Sequence, residues 1–200
     1  MKNKIKIAIL VLAVVVLSFL YAHISKNTYL YDRSSGSEDF VGTGIIKEGE
    51  EITQGFISKE ELLDGINLKA TVNGNVENVV LTYTLRDNET GEEVHGSVKG
   101  AEVKNNKFNA YTFDRVEQAK GKSYTLVLTE TGSDENNGIS FYYSPQEQTE
   151  GDLIVKGESA QGVLAARTIT DRFDLETFIV LLGFVAFVVG FIKVLYKLFK

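Results

Sequence analysis

The chain contains no cysteine and no tryptophan, and histidine occurs only twice. Without cysteine, neither a disulfide nor a thiolate metal site is available, so a domain outside the cell must rely on its own hydrophobic core. His23 and His95 are too few for a zinc centre, which needs three or four convergent ligands. These absences exclude the disulfide-rich and zinc-dependent classes of protein.

Positive charge is scarce in the middle of the chain. Residues 25–174 carry 15 Lys and Arg against 26 Asp and Glu, a net charge of −11. A nucleic-acid-binding surface needs clustered basic residues, so this composition excludes nucleic acid as a partner. Carboxylates are abundant, but the sequence singles out no pair of them and no nucleophile with a base. The chain is therefore predicted not to be an enzyme.

Long apolar runs occur only at the two ends. Residues 7–22 and 177–192 each hold 16 residues without a charge, and each would reach about 24 Å as a helix, which flanking apolar residues can extend toward the bilayer thickness of about 30 Å. Each run has lysines between it and the nearer chain terminus: Lys2, Lys4 and Lys6 before the first run, and Lys193, Lys197 and Lys200 after the second. Because such clusters favour the cytoplasmic side, both termini are predicted inside and the central domain outside.

A cleaved signal peptide is the alternative interpretation of the first run. The basic start fits a signal peptide, and Ala22 is a small residue of the kind that precedes cleavage. However, the run is longer than the usual apolar region of about 7–15 residues, and Leu20 does not fit the small-residue pattern of a cleavage site. These features favour an uncleaved anchor.

The central region is predicted to be all β. Residues 66–72 and 79–86 alternate apolar with polar side chains, the period of a half-buried strand. Turn residues separate further short segments of this kind, at 52–56, 93–99, 108–113, 123–129, 138–143, 152–155 and 163–168. Single helical turns are predicted at residues 60–63 and 116–119. Many short strands with frequent turns indicate an antiparallel sandwich or barrel.

Several of these strands also resemble a known family. The segments QGF at 54–56, LDGINLKAT at 63–71 and LTYTLRD at 81–87 resemble jelly-roll ectodomains that sit between membrane helices in bacterial envelope proteins. GKSYTL at 121–126 is similar to a later strand of that pattern, and GDLIVKG at 151–157 and GVLAAR at 162–167 to its closing strands. The resemblance covers residues 54–167, most of the central region.

The resemblance implies a sandwich related in shape to carbohydrate-binding modules, set in surface-polysaccharide or glycolipid assembly beside membrane glycosyltransferases. It brings no catalytic motif. The expectation is a non-enzymatic accessory protein of the bacterial cell membrane, whose partners are the membrane, a glycan, and a glycosyltransferase or other envelope protein. The alternative is a protein–protein interaction or scaffold module that binds no sugar.

The fold expectation is an all-β, antiparallel, jelly-roll-like sandwich ectodomain flanked by two transmembrane α-helices. Residues 1–24 form an N-terminal transmembrane anchor and residues 25–49 a linker and first strand region. Residues 50–172 form the extracytoplasmic β-sandwich, and residues 173–200 the C-terminal transmembrane helix with its basic cytoplasmic end.

Candidate ligand-binding residues are aromatic. Tyr111, Tyr142 and Tyr143 lie on predicted strands, where they either form a sugar platform or pack the sandwich. Tyr142 and Tyr143 are adjacent, so one faces the core and the other the opposite face. The absence of tryptophan speaks for the packing role.

Candidate metal ligands lie on two turns rich in Asp and Asn. Asp87 and Asp134 place oxygen atoms where a structural Ca²⁺ could bind, but neither turn has EF-hand spacing. The other interpretation is that these residues simply form turns. No further cofactor is indicated.

The C-terminal run also carries a stripe of small residues. Gly183, Ala186 and Gly190 fall at positions i, i+3 and i+7 of a helix. Such stripes allow close helix packing, here against the first helix or a partner membrane protein, although glycine is also common in membrane helices generally.

Overall fold

The computed structural model of the chain describes residues 2–33, 36–146 and 151–199. These residues fall into two compact units. The first contains both chain ends, up to Ser25 and from Asp171 onwards, and is mainly helical; the second, Lys26–Thr170, is a β-sandwich.

The helical unit contains α1, Lys2–Tyr21, and α2, Leu175–Leu198. Asp174 caps α2, because its carboxylate accepts hydrogen bonds from the Glu176 N–H at 3.1 Å and from the Thr177 hydroxyl at 2.9 Å. The hydrogen bond from Thr177 is the main reason that the pKa of Asp174 is lowered. The two helices meet where α1 ends and α2 begins, with the Phe19 and Phe178 rings edge to face at 6.5 Å.

Within the described residues, α2 alone is long and apolar enough to cross a membrane, with a mean hydropathy of 2.8. The apolar stretch described in α1, Ile9–Tyr21, is shorter. The prediction of two helices long enough to span a membrane is therefore confirmed only for the C-terminal run.

The strands form two mostly antiparallel sheets. Sheet A has the order β1-β13-β4-β9-β12, with β7 also paired to β4 and β2 to β9. Its strands are β1 His23–Tyr29, β2 Val41–Ile45, β4 Leu63–Asn73, β7 Lys107–Val116, β9 Gly138–Ser144, β12 Val163–Leu164 and β13 Ala166–Phe173. Sheet B has the order β11-β10-β3-β8-β5-β6. Its strands are β3 Glu51–Ile57, β5 Val80–Asp87, β6 Glu93–Lys99, β8 Ser123–Thr131, β10 Leu153–Val155 and β11 Glu158–Ala160.

The core lies between the two sheets and follows from the alternation along each strand. Leu126 and Leu128 of β8 and Leu81 of β5 are fully buried in one hydrophobic cluster with Ile66 and Leu68 of β4. The residues between them, such as Thr125 and Val127, are only partly buried. One face of each sheet is therefore buried in the core, and the side chains of the other face are available for contacts outside the core.

Two strands, β9 and β13, share one edge of β4 in sheet A. β4 pairs with β9 through Ala70–Asn73 and with β13 through Gly65–Leu68, while β7 occupies its opposite edge. Buried Gln54 of sheet B stabilises the break between β12 and β13, since its Oε1 accepts a hydrogen bond from the Leu164 N–H at 2.8 Å. This link ties the two sheets together across the core.

The strands predicted between residues 52 and 168 are all present, whereas the two predicted helical turns are wrong. Leu63 and Val116 instead pair with each other at the ends of β4 and β7. The short 3₁₀ helices lie elsewhere, at Ser37–Asp39 and Gly100–Glu102. The segment 25–49, expected to be a linker and first strand region, contributes β2 and most of β1 to sheet A.

Candidate ligand-binding surface

The outer face of sheet A carries a group of aromatic and basic side chains. We call this group the aromatic–cationic face. It consists of Tyr29, Phe40, Lys69, Phe108, Tyr142 and Arg167, all of them partly exposed.

The alternation of β4 places the centre of this face. Ile66, Leu68 and Ala70 point into the core, so Asn67 and Lys69 point away from it. The strand register determines their neighbours: Lys69 lies opposite Phe108 of β7, and Asn67 lies opposite Arg167 of β13. Side chains from three adjacent strands thus converge although they are far apart in the sequence.

Arg167 is held by two aromatic rings. Its guanidinium carbon lies 3.6 Å from the centroid of Phe108 and 4.4 Å from that of Tyr29. The rings come from strands on opposite sides of β13, so the guanidinium is confined from both directions. Such cation–π contacts are worth about 0.5–2 kcal/mol each. Arg33, which lies 4.7 Å from the Tyr29 ring, adds a further positive charge at the edge of the face.

Lys69 is arranged in a similar way. Its Nζ lies 4.9 Å from the centroid of Phe40 and 5.0 Å from that of Tyr142. Among the described residues, no carboxylate lies within ion-pair distance of Lys69 or Arg167. Other basic residues of the sandwich do form such pairs, including Lys26 with Glu60 at 2.7 Å and Arg86 with Glu93 at 2.6 Å.

A second, smaller hydrophobic cluster supports the face from below. Tyr31, Val163 and Ala165 are buried in it, and Tyr31 meets the rings of Tyr29 and Phe40 edge to face, at 5.3 Å in each case. The Asp32 N–H just after Tyr31 donates a hydrogen bond to the side chain of Gln146 at 3.1 Å. The rings are therefore fixed before any ligand arrives, which lowers the entropic cost of binding.

The three predicted tyrosines lie in three different places. Tyr142 belongs to the aromatic–cationic face, and its neighbour Tyr143 packs against the main core, as expected for adjacent strand residues. Tyr111 is only 3% exposed and lies 5.2 Å from the Tyr83 ring inside the core, so it offers no surface to a ligand. Its burial raises the pKa of its hydroxyl far above the usual value.

Asp87 and Asp134 both organise their own turns. The Asp87 carboxylate accepts hydrogen bonds from the Glu89 and Thr90 N–H groups at 2.8 and 3.1 Å, which lowers its pKa. The Asp134 carboxylate accepts from the Asn137 side chain and from the backbone N–H groups of Asn136 and Asn137, with the same effect on its pKa. No group of three or more His, Cys, Asp and Glu suited to a metal occurs in the described part of the chain. The geometry favours the turn-forming role.

The small-residue stripe of α2 is open. Gly183, Ala186 and Gly190 are exposed, and a Cβ added at either glycine would meet nothing within 4 Å. Most of the partly covered residues of α2 lie on another side of the helix; they are Thr177, Phe178, Leu181, Leu182, Val185, Val188 and Leu195. The stripe therefore does not pack against α1 in the described residues, and packing against a partner stays a prediction.

Most residues of the aromatic–cationic face were missed by sequence reasoning. Tyr29 and Phe40 lie in the segment predicted as a linker and first strand region, without assignment to a particular strand. Phe108 and Arg167 were placed on predicted strands, but the neighbours of those strands in the sheet were not predicted. The available signal was the outward set of β4, where Lys69 stands among short polar residues. In comparisons with known proteins, no family model and no curated protein matches the chain.

Proposed function

We propose that the chain is a non-enzymatic, membrane-anchored binding protein whose sandwich binds a glycan. In this proposal the sandwich is a jelly-roll ectodomain outside a bacterial cell, and it assists the assembly of cell-surface polysaccharide or glycolipid beside a membrane glycosyltransferase or another envelope protein. The helices hold it at the membrane, with both chain ends on the cytoplasmic side.

The observation that carries the proposal is the set of rigid, partly exposed rings on the outer face of sheet A. Sugar rings present apolar C–H faces that stack on aromatic side chains, while their hydroxyl groups need a few fixed polar partners. Tyr142 and Phe40 provide such rings beside Lys69, and Asn67 with Arg167 provides polar groups next to Phe108. A small number of fixed polar groups among apolar ones is the usual composition of a small-molecule site.

The membrane part of the proposal is supported by α2, whose length and composition suit a bilayer span. Lys193 and Lys197 extend from its C-terminal part and are exposed, which favours a cytoplasmic location for that end. Lys200 lies outside the described residues. Assignment of α1 as a second span rests on the apolar sequence of residues 7–22.

A protein partner is the second candidate for the same face. Tyr and Arg side chains that are rigid and central also dominate the affinity of protein–protein interfaces. In that case the sandwich would act as a scaffold module and would not bind sugar.

A glycan array probed with the full chain in neutral detergent tests the proposal. Binding to a defined class of glycan is expected, and Tyr142→Ala should weaken it at least about tenfold, which corresponds to about 1.4 kcal/mol. The matched control is His95→Ala, which removes an exposed ring from β6 of the other sheet. Absence of binding to every glycan, together with crosslinking of a protein partner to this face, would favour the scaffold alternative.

A further inference from the structure

The aromatic–cationic face is locally basic in a strongly acidic domain. Residues 25–174 carry a net charge of −11, yet Arg33, Lys69 and Arg167 gather against a few rings. Within the described residues, Lys69 and Arg167 have no carboxylate partner. Because repulsion from distant carboxylates is screened beyond about 8 Å at physiological salt, this local charge governs what binds.

The centre of the face also leaves hydrogen-bonding atoms without partners. The Nε of Arg167 and the Oδ1 of Asn67 are both enclosed, and neither has a hydrogen-bond partner in the described part of the chain. The two residues are directly opposite each other in the register of β13 and β4. Because these two atoms are enclosed, contact with a ligand is left to the exposed parts of the Arg167 and Asn67 side chains.

The orientation of Arg167 determines what that ligand must offer. Because Phe108 and Tyr29 pack against the guanidinium, its N–H groups remain available only at its edge. A planar carboxylate matches such an edge with two parallel hydrogen bonds. Lys69 is a diagonal neighbour at a Cα separation of about 7–8 Å, so it can hold a second anionic group or a hydroxyl of the same chain of sugars.

We infer that the ligand is an acidic glycan whose pyranose rings carry carboxylate groups, that is, a polymer containing uronic acids. The carboxylate lies at the rim of such a sugar, so the ring stacks on Phe40 and Tyr142 while carboxylates meet Lys69 and Arg167. The inference rests on the proposed function and names its class of ligand.

Equilibrium binding to the full chain in neutral detergent tests this inference with three probes. These are an oligomer of galacturonic acid, the same oligomer with its carboxyl groups reduced to neutral alcohols, and a polymer of glycerol phosphate. The acidic oligomer should bind at least about tenfold more tightly than the neutral one. Its affinity should fall steeply when the salt concentration rises from about 50 mM to about 500 mM.

Variants locate the effect on this face. The double substitution Lys69→Gln with Arg167→Gln should abolish the preference for the acidic oligomer, and Arg167→Lys should restore only part of it, because lysine cannot make two parallel hydrogen bonds. Lys99→Gln with Lys120→Gln is the control, since it also removes two positive charges, at exposed positions outside this face. Thermal melting of each variant shows whether the fold is retained. The salt dependence is measured on the unmodified chain, so that part of the test holds even if a variant fails to fold.

The possible failures are distinguishable. Equal binding of the acidic and neutral oligomers would overturn the inference and leave glycan binding intact. Tighter binding of the phosphate polymer would overturn the choice of carboxylate. Absence of binding by all three probes, together with an empty glycan array, would overturn the proposed function itself.

Discussion

Glu130 is a carboxylate in an unfavourable position. It lies at the end of β8 and is only 2% exposed; its Oε2 accepts a hydrogen bond from the Ile139 N–H at 3.1 Å, and its Oε1 has no partner among the described residues. Burial raises its pKa to about 7, against the opposing effects of the Ile139 N–H and of Lys156. The same alternation that places Tyr124, Leu126 and Leu128 in the core carries Glu130 there too.

Glu130 should make the stability of the sandwich depend on pH. The folded state holds the proton up to about pH 7, whereas the unfolded chain releases it near the usual glutamate pKa of 4.5. The stabilisation is therefore complete below about pH 4.5 and is lost as the pH rises toward 7, by about 3 kcal/mol for a shift of this size. Urea unfolding of the full chain in neutral detergent across this pH range measures the effect.

Glu130→Gln should remove this pH dependence and stabilise the chain at neutral pH, because an amide keeps the acceptor for Ile139 without the cost of burying a charge. Glu158→Gln is the matched control on exposed β11. An unchanged slope of stability against pH in Glu130→Gln would show that Glu130 does not titrate in this range.

At the scale of single strands, β5 and β6 depend on a close contact between a ring and a glycine. Tyr83 lies opposite Gly96 in the register, and a Cβ at Gly96 would overlap the Tyr83 ring. The Tyr83 hydroxyl donates a hydrogen bond to the backbone oxygen of Thr112 at 2.8 Å, which connects sheet B to β7 of sheet A. A side chain at position 96 would push the ring away from that partner.

Gly96→Ala should therefore destabilise the sandwich by about 1–3 kcal/mol, the range for overpacking a filled site. Ser97→Ala on the same strand is exposed and should change stability by less than about 0.5 kcal/mol. Chemical unfolding of both variants provides the comparison. A neutral Gly96→Ala would mean that Tyr83 can move without losing its contact with Thr112.

The strands were predictable from sequence because alternation is a local property. The alternation in the segments around Ile66, Leu81 and Leu126 predicts which side chains face the core, and these side chains are buried in the structure. The predicted helical turns failed for a non-local reason, since Leu63 and Val116 pair across sheet A. For residues 25–49 the sequence predicted a first strand region without bounds, because polar residues and glycine weaken the alternation in β1 and β2.

The aromatic–cationic face was less predictable than the strands. Alternation shows which way a side chain points, but it does not show which strands are neighbours. Arg167 meets Phe108 only because β4 lies between β13 and β7. The sequence predicted that Tyr142 and Tyr143 point to opposite faces, whereas the approach of Tyr142 to Lys69 required the pairing of β9 with β4.

At the scale of the whole chain, one prediction concerns how α2 is used. The substitutions Phe184→Arg and Phe187→Arg in the middle of α2 should each make the free energy of membrane insertion less favourable by about 3 kcal/mol. Both side chains are exposed on the helix, so the substitutions leave its contacts with α1 unchanged. Insertion should then fail in a large fraction of molecules, and a tag at the C-terminus should become accessible from outside the cell.

The control places the same two charges at the end of the helix, as Tyr196→Arg with Phe199→Arg. These positions lie beside Lys197, where basic side chains can reach the headgroups. The tag should therefore stay inside, as in the unmodified chain, and protease added to intact cells should digest the sandwich but not the tag. A tag that is already accessible outside in the unmodified chain would reverse the proposed topology. Because a sandwich on the cytoplasmic side would have no access to surface glycans, this result would also remove the basis for the proposed function.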